Sequence, residues 1–237
     1  KINNDPEDTS GAKLLESAAK LASATDNKLV QIMKCDLNIS NCIIDTVQAN
    51  KITDLIVGIH HKANIVDTFL GGTITALING TSHQNLIIYG PKRPINSVKR
   101  LVVTVPRMAE LEIGFDLWFD RVKNIASQLS IPIVFYANKT TTEALKKQCE
   151  IHSSLNVSFR ELASWEDFLI ISKDIKHSDT LIVITARKAT VSYNNLFEKI
   201  PYYLNKYFAD NNFLLIYPQQ TAPDGTDNDI YNPLKIS

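Results

Sequence analysis

The stretch Thr53–Thr73 reads TDLIVGIHHKANIVDTFLGGT and sets glycines where a backbone would have to approach a phosphate. Gly58 closes a short apolar run. The pair Gly71-Gly72 follows thirteen residues later, where a helix is expected to begin. A strand that passes through a glycine-bearing loop into a helix N-terminus brings free N–H groups and the helix dipole together, and phosphates bind there. On this reading the phosphates of ATP or AMP would lie against the backbone at Gly71, Gly72 and Thr73, and Gly58 would allow close approach. The competing reading is architectural: Gly58 ends a strand, and Gly71-Gly72 let a helix pack tightly on the sheet.

Other chemistries find less support. His60 and His61 are adjacent, so on an extended segment they point in opposite directions and do not share an ion. His83, His152 and His177 are scattered, and no metal site is expected. No Gly-x-Ser-x-Gly elbow, paired carboxylates or Cys/His arrangement suggests catalysis, and no catalytic residue is assigned. Asp54 and Asp179 each precede an apolar run, which suits a turn or strand entry. Arg187 and Lys188 sit in a glycine-free loop, Ala186–Thr190, and are expected to form a solvated basic loop or, alternatively, to attract an anion. Tyr193, Phe197, Tyr202, Tyr203, Tyr207 and Phe208, with Phe213 and Tyr217, make the last helix and strand ring-rich, as suits a core or an interface. The three cysteines, Cys35, Cys42 and Cys149, form no Cys-x-x-Cys pair and fit a reducing, cytoplasmic setting.

These residues need a scaffold, and the 237-residue chain supplies one. Lys+Arg and Asp+Glu are both 25, and this neutrality argues against a nucleic-acid partner. No apolar run approaches the ~20 residues that span a bilayer. Helices are expected at Thr9–Ala24, Ile39–Asn50, Asn64–Gly80, Gly114–Leu129, Thr141–His152, Ser164–Lys176 and Ser192–Phe208, the last kinked at Pro201. Strands are expected at Lys28–Lys34, Leu55–Ile59, Asn85–Tyr89, Arg100–Val105, Ile131–Tyr136, Asn156–Glu161, Thr180–Thr185 and Phe213–Tyr217. Such alternation predicts an α/β fold with parallel sheets and helical crossovers.

The pattern also repeats at a period of about 125 residues, which suggests a domain duplication. Asp54-Leu-Ile-Val and Asp179-Thr-Leu-Ile-Val take equivalent places, and NLIIY and FLLIY end the two copies. The expected organisation is a partial first domain over 1–90, a linker over 91–98, a five-stranded second domain over 99–218 and a tail over 219–237. The first copy lacks its leading strand and helix, with Lys1-Ile2-Asn3 at most the stub of its second strand. A chain opening at Lys1 rather than Met reads as a fragment of something longer.

This order of elements resembles the universal stress protein A family, in tandem. The resemblance implies tandem doubly wound parallel sheets of the adenine nucleotide alpha hydrolase-like type. The family's nucleotide binders carry G-x2-G-x9-G-[ST]. Here Gly58 takes the first position, His61 stands in place of the second glycine, Gly71 takes the third, and Gly72 stands where Ser/Thr is expected, with Thr73 one place late. In the second copy Val105 and Pro106 stand where nucleotide binders place an aspartate. The resemblance further implies that the final strand and helix mediate dimer contacts, so a homodimer is expected. More closely, the degenerate pair is similar to the cytoplasmic C-terminal region of bacterial sodium or potassium/proton antiporters. That implies a non-catalytic regulatory or assembly module, joined to an upstream transmembrane transporter domain on the cytoplasmic side of the inner membrane, with no required cofactor. The alternative is a free-standing tandem stress protein binding ATP or AMP at Gly58–Thr73. A nucleotide hydrolase ranks last.

Overall fold

The structure, a computed structural model, describes residues 2–3, 10–25, 27–59, 72–150 and 156–221. In chain order the regular elements are β1 (Ile2–Asn3), α1 (Ser10–Ser23), β2 (Lys34–Cys35), α2 (Ile39–Ala49), β3 (Asp54–Gly58), α3 (Thr73–Gly80) and β4 (Asn85–Gly90). They continue as β5 (Arg100–Thr104), α4 (Phe115–Leu129), β6 (Ile133–Ala137), α5 (Lys139–Glu150), β7 (Val157–Glu161), β8 (Asp179–Ile184), α6 (Ile200–Tyr207) and β9 (Asn212–Tyr217). The fold class is the expected one: a mostly parallel sheet flanked by helices. Where two separate sheets were expected, however, seven strands share one sheet in the order β3-β4-β9-β8-β5-β6-β7. Every neighbouring pair is parallel except β4 and β9, which run antiparallel. β1 and β2 pair in parallel as a separate two-stranded sheet.

The apolar runs explain the layering. Every residue of β8 and β9 is buried, as strands covered on both faces require. Alternation along the strands sends Leu86, Ile88, Leu181, Val183, Phe213 and Leu215 to one face, packed with Leu77 of α3 and Leu204 of α6. Ile87, Leu101, Val103, Ile182, Leu214 and Ile216 face the other side, under Trp118 and Val122 of α4 and Leu145 of α5. Both layers draw on residues from either side of the 91–98 segment.

The β4–β9 seam is held by a matched pair of buried asparagines. Asn85 opens β4, and its Oδ1 accepts the Gln219 N–H at 3.0 Å, just beyond the end of β9. Asn212 opens β9, and its Oδ1 accepts the N–H groups of Lys92 and Arg93 at 2.6 and 2.9 Å, just beyond the end of β4. This places Asn85 opposite Asn212 in role. It shifts the match between the terminal strands by one residue from the expected NLIIY–FLLIY pairing.

Several expected elements are corrected. The expected strand Lys28–Lys34 is shortened and shifted to Lys34–Cys35, which pairs with β1, while Leu29, Val30 and Met33 stay exposed. Ser164–Lys176 is a 3-10 helix over Trp165–Lys173, entered through the Ser164 side chain, which accepts the Glu166 N–H. Ser192–Phe208 is not one kinked helix. A 3-10 turn over Asn195–Lys199 leads into α6, and Pro201 sits in its first turn, where its missing N–H costs nothing. Of the helix expected over 64–80, only Thr73–Gly80 lies within the described residues.

Candidate functional site

The predicted phosphate loop lies at the carboxyl end of β3. The strand ends at the exposed Gly58, and the next residue, Ile59, is buried and donates its N–H to the Tyr89 carbonyl at 2.9 Å. α3 then begins at Thr73 with Gly72 as its N-cap and no side-chain cap. His61 and Gly71 lie outside the described residues. A Cβ placed on Gly58 or Gly72 would meet nothing within 4 Å among the described residues. Gly58 does end β3, as the architectural reading expects; among the described residues the glycines that packing demands are Gly80 against Ile44, Gly90 against Phe213 and Gly114 against Gln219. Gly58, Gly72 and Thr73 are brought to the same end of the sheet. The crevice of such a fold forms where strand order reverses, and here β3 has a described neighbour on one side only.

The second half has both walls. Its strand order reverses between β5 and β8, and the chain leaves β5 through Val105 and Pro106. Arg107 and Met108 follow, Met108 at φ 63° in the left-handed region. Two open crevices of about 500 and 330 Å3 flank these residues. Several polar groups at these crevices are engaged within the chain. Glu112 accepts both the N–H and the hydroxyl of Ser192, at 3.0 and 2.7 Å. An internal carboxylate thus occupies a donor pair of the kind an anion would use. Asn138 caps α5 through the Thr141 N–H at 2.9 Å, and the Thr141 hydroxyl donates to Glu110 at 2.7 Å.

Arg187 is the principal correction among the side chains. It is buried, not solvated. Its guanidinium donates to the carbonyls of Ile78 at 2.7 Å, Thr81 at 2.8 Å and Gln84 at 3.4 Å, and to that of Pro218. It thereby ties the β8–α6 loop to the α3–β4 turn. Burial pulls its pKa down to about 10, so it remains charged at neutral pH without a carboxylate partner. Its loop does contain a left-handed residue, Ala189 at φ 70°. Lys188 stays exposed and pairs with Glu198 at 2.8 Å.

The two strand-entry aspartates are each bound by an arginine. Asp54 receives Arg121 of α4 through two bonds, at 2.9 and 2.8 Å, and the Asn85 amide at 3.0 Å. Burial pushes the Asp54 pKa up, but the bonds from Arg121, Asn85 and Thr53 outweigh it and hold the carboxyl below its ordinary range. Asp179 receives Arg100, its neighbour across β5 and β8, at 2.6 Å. The two aspartates are not equivalent. Leu55 and Val57 share a layer with Leu181 and Val183, so Leu-Ile-Val matches Leu-Ile-Val. Asp54 stands one residue before its Leu and Asp179 two before, which turns them to opposite faces.

Among the ring-rich residues, Phe197, Phe208 and Phe213 are core, whereas Tyr202 and Tyr207 are 49% and 40% exposed. β9 does mediate an edge contact, but with β4 of the same chain. Among the described residues no cluster of His, Cys, Asp and Glu could hold a metal, and no helix is long and apolar enough to cross a membrane. Glu112 and Arg121, and the buried role of Arg187, escaped sequence reasoning, since their partners lie far along the chain. The asparagines opening NLIIYG and NFLLIY were a readable signal.

No protein-family model matches the sequence, and no curated protein matches it. Solved structures do. A Pseudomonas aeruginosa protein described as a universal stress protein superposes with a TM-score of 0.57 at 11% identity, over 92% of this chain and 82% of its own. A protein of unknown function from Pseudomonas aeruginosa PAO1 gives 0.56 at 11% identity, over 92% and 81%. A universal stress protein of Archaeoglobus fulgidus gives 0.52 at 12% identity, over 88% and 76%. At these identities the likeness concerns backbone architecture, and the chain has the fold of universal stress proteins.

Proposed function

We propose that this chain is a non-catalytic regulatory and assembly module, built from two degenerate universal-stress-protein-like halves, on the cytoplasmic side of a monovalent cation/proton antiporter. The observation that carries the loss of ligand chemistry is the Glu112–Ser192 contact: a donor pair at the switch point of the second half is held by the protein's own carboxylate. Arg187, in the same β8–α6 loop as Ser192, is spent on backbone carbonyls. The reciprocal Asn85 and Asn212 clamps support a duplicated origin. The transporter partner rests on the resemblance of the degenerate pair, and its test is the reading frame ahead of Lys1. About a dozen apolar spans of ~20 residues each are expected there. Their absence ends the antiporter reading.

A second reading, ATP or AMP held at Gly58–Thr73, is favoured by the open space at Gly58 and Gly72 among the described residues and by the start of α3 at Thr73, directly after Gly72. Thermal melting with ATP and magnesium separates the two. A binder at a hundredfold excess over its Kd gains ~2.7 kcal/mol. The regulatory reading expects no shift at millimolar nucleotide, and a saturable shift removed by Gly72→Val would replace it with the second.

A further inference from the structure

An apolar cavity lies on the face of the sheet turned away from α3. Leu55 and Val57 pack in the layer that holds Leu77 of α3, so Ile56 points to the other side. There Ile56 is 65% exposed, whereas Ile182 of β8, on the same face, is fully buried in the layer under α4. The cavity measures about 560 Å3 and is walled by Ile56, Ile87, Tyr89, Leu101, Ile125 and Leu214. That volume lies within the roughly 300–1,000 Å3 of small-molecule sites. Ile125 stands one turn after Arg121, whose two bonds to Asp54 hold α4 against the start of β3.

One end of the cavity is polar and unsatisfied. Thr180 and Arg93 line it, and Thr180 Oγ1 and Arg93 Nε are buried without a hydrogen-bond partner. Thr180 is fully buried. The two belong to one corner of the fold. Asn212 pairs with Thr180 across β8 and β9, and its side chain accepts the N–H groups of Lys92 and Arg93 and donates to the Arg93 carbonyl at 3.1 Å. The Arg93 guanidinium is steadied by one arm, which donates to the Asp210 carbonyl at 3.0 Å. Among the described residues neither Lys92 nor Arg93 is in an ion pair. Orphaned buried polar groups are costly and call for a partner. An N–H and a hydroxyl beside two cations, at the end of an apolar wall, complement one anionic head on an aliphatic chain.

We infer that this cavity binds a linear aliphatic carboxylic acid. One carboxylate oxygen accepts from Arg93 Nε and the other from the Thr180 hydroxyl, while Lys92 adds positive charge beside them. The chain lies along Leu101, Leu214 and Ile87 and reaches Ile56. A carboxylate fits this corner because its two oxygens match the two unpartnered groups. The site is independent of the transporter and nucleotide readings. It lies on the face opposite α3 and its Gly72 cap, and its apolar wall selects a hydrocarbon chain.

The test titrates dodecanoate, below the concentration at which it forms micelles, into the 237-residue chain. Calorimetry gives the affinity and methyl NMR gives the place. Saturable binding is expected, with shifts at the methyls of Ile56, Ile87 and Leu214. Dodecanol keeps the chain and lacks the charge, and should bind about tenfold more weakly or worse, as loss of a charge-assisted bond requires. Arg93→Gln should weaken dodecanoate to a similar extent. Thr180→Val removes an unpartnered hydroxyl, so its melting temperature should hold while its affinity for dodecanoate falls. Ile170→Glu, on the 3-10 helix that packs on the α3 face, should leave binding unchanged. Absence of saturation, shifts confined to other methyls, or equal affinity for dodecanol overturns the inference. Unchanged affinity in both Arg93→Gln and Thr180→Val does so as well. Ile56 shifts that depend on protein concentration without ligand also overturn it, and make a second copy of the chain the occupant.

Discussion

Arg187 donates to four backbone carbonyls, and this makes it the residue whose loss should be felt most. Arg187→Met keeps the stem and removes the donors. The Thr81 carbonyl then keeps only the Gln84 N–H, and the carbonyls of Ile78, Gln84 and Pro218 lose the guanidinium, at about 1–3 kcal/mol in all. Urea unfolding should show that loss with an unchanged m value, whereas Lys188→Ala, at an exposed pair, should stay within roughly 0.5 kcal/mol. Asp54 gives a pH signature. Its carboxyl is held below the ordinary value of 3.8, so its stabilisation is complete above that pH and is lost as pH falls through the lowered pKa. Asp54→Asn should cost roughly 1–2 kcal/mol at pH 7, between the exposed and buried limits for such pairs. It should also flatten the acid limb of a stability–pH curve below pH ~4.

At the scale of elements, the β4–β9 seam decides the architecture. Antiparallel pairing there requires two backbones to meet with Phe213 lying over Gly90, where a Cβ would run into the ring. Gly90→Ala should therefore destabilise by about 1–3 kcal/mol through overpacking. Gly58→Ala, with open space around it, should cost far less. Thermal melting of the two variants side by side checks the contrast. The 3-10 segments over Trp165–Lys173 and Asn195–Lys199 show why helix-like patterns misled: their rings are seated by contacts such as Trp165 on Phe197, 4.8 Å apart, and not by regular i to i+4 bonding.

At the scale of the whole molecule, strands from either side of the 91–98 segment share one sheet. The inner strands β5, β6, β8 and β9 are buried on both faces, while the edge strands β3 and β7 are partly exposed, β3 with a bare isoleucine at Ile56. Edges of this kind invite pairing unless something covers them. The chain thus combines the internal Glu112–Ser192 contact beyond the carboxyl ends of β5 and β8 with an edge strand, β3, that has a described neighbour on one side only.

The sequence alone determined the α/β class, most strand positions and the recurrence of Leu-Ile-Val before a terminal apolar strand. These depend on local apolar runs and on the steric rules of single residues. It also located Gly58 and Gly72 at one end of the sheet, because a strand–loop–helix is a local object. Only the tertiary structure decided that the two expected sheets are one, that Asp54 and Asp179 face opposite ways, and that Arg187 is a buried clamp. The side-chain bonds depend on partners 67 to 109 residues away, the single sheet depends on the still more distant β4–β9 pairing, and the aspartates depend on which face of a pleated strand a side chain takes. A one-residue shift in a strand reverses that face, and spacing along the chain does not reveal it.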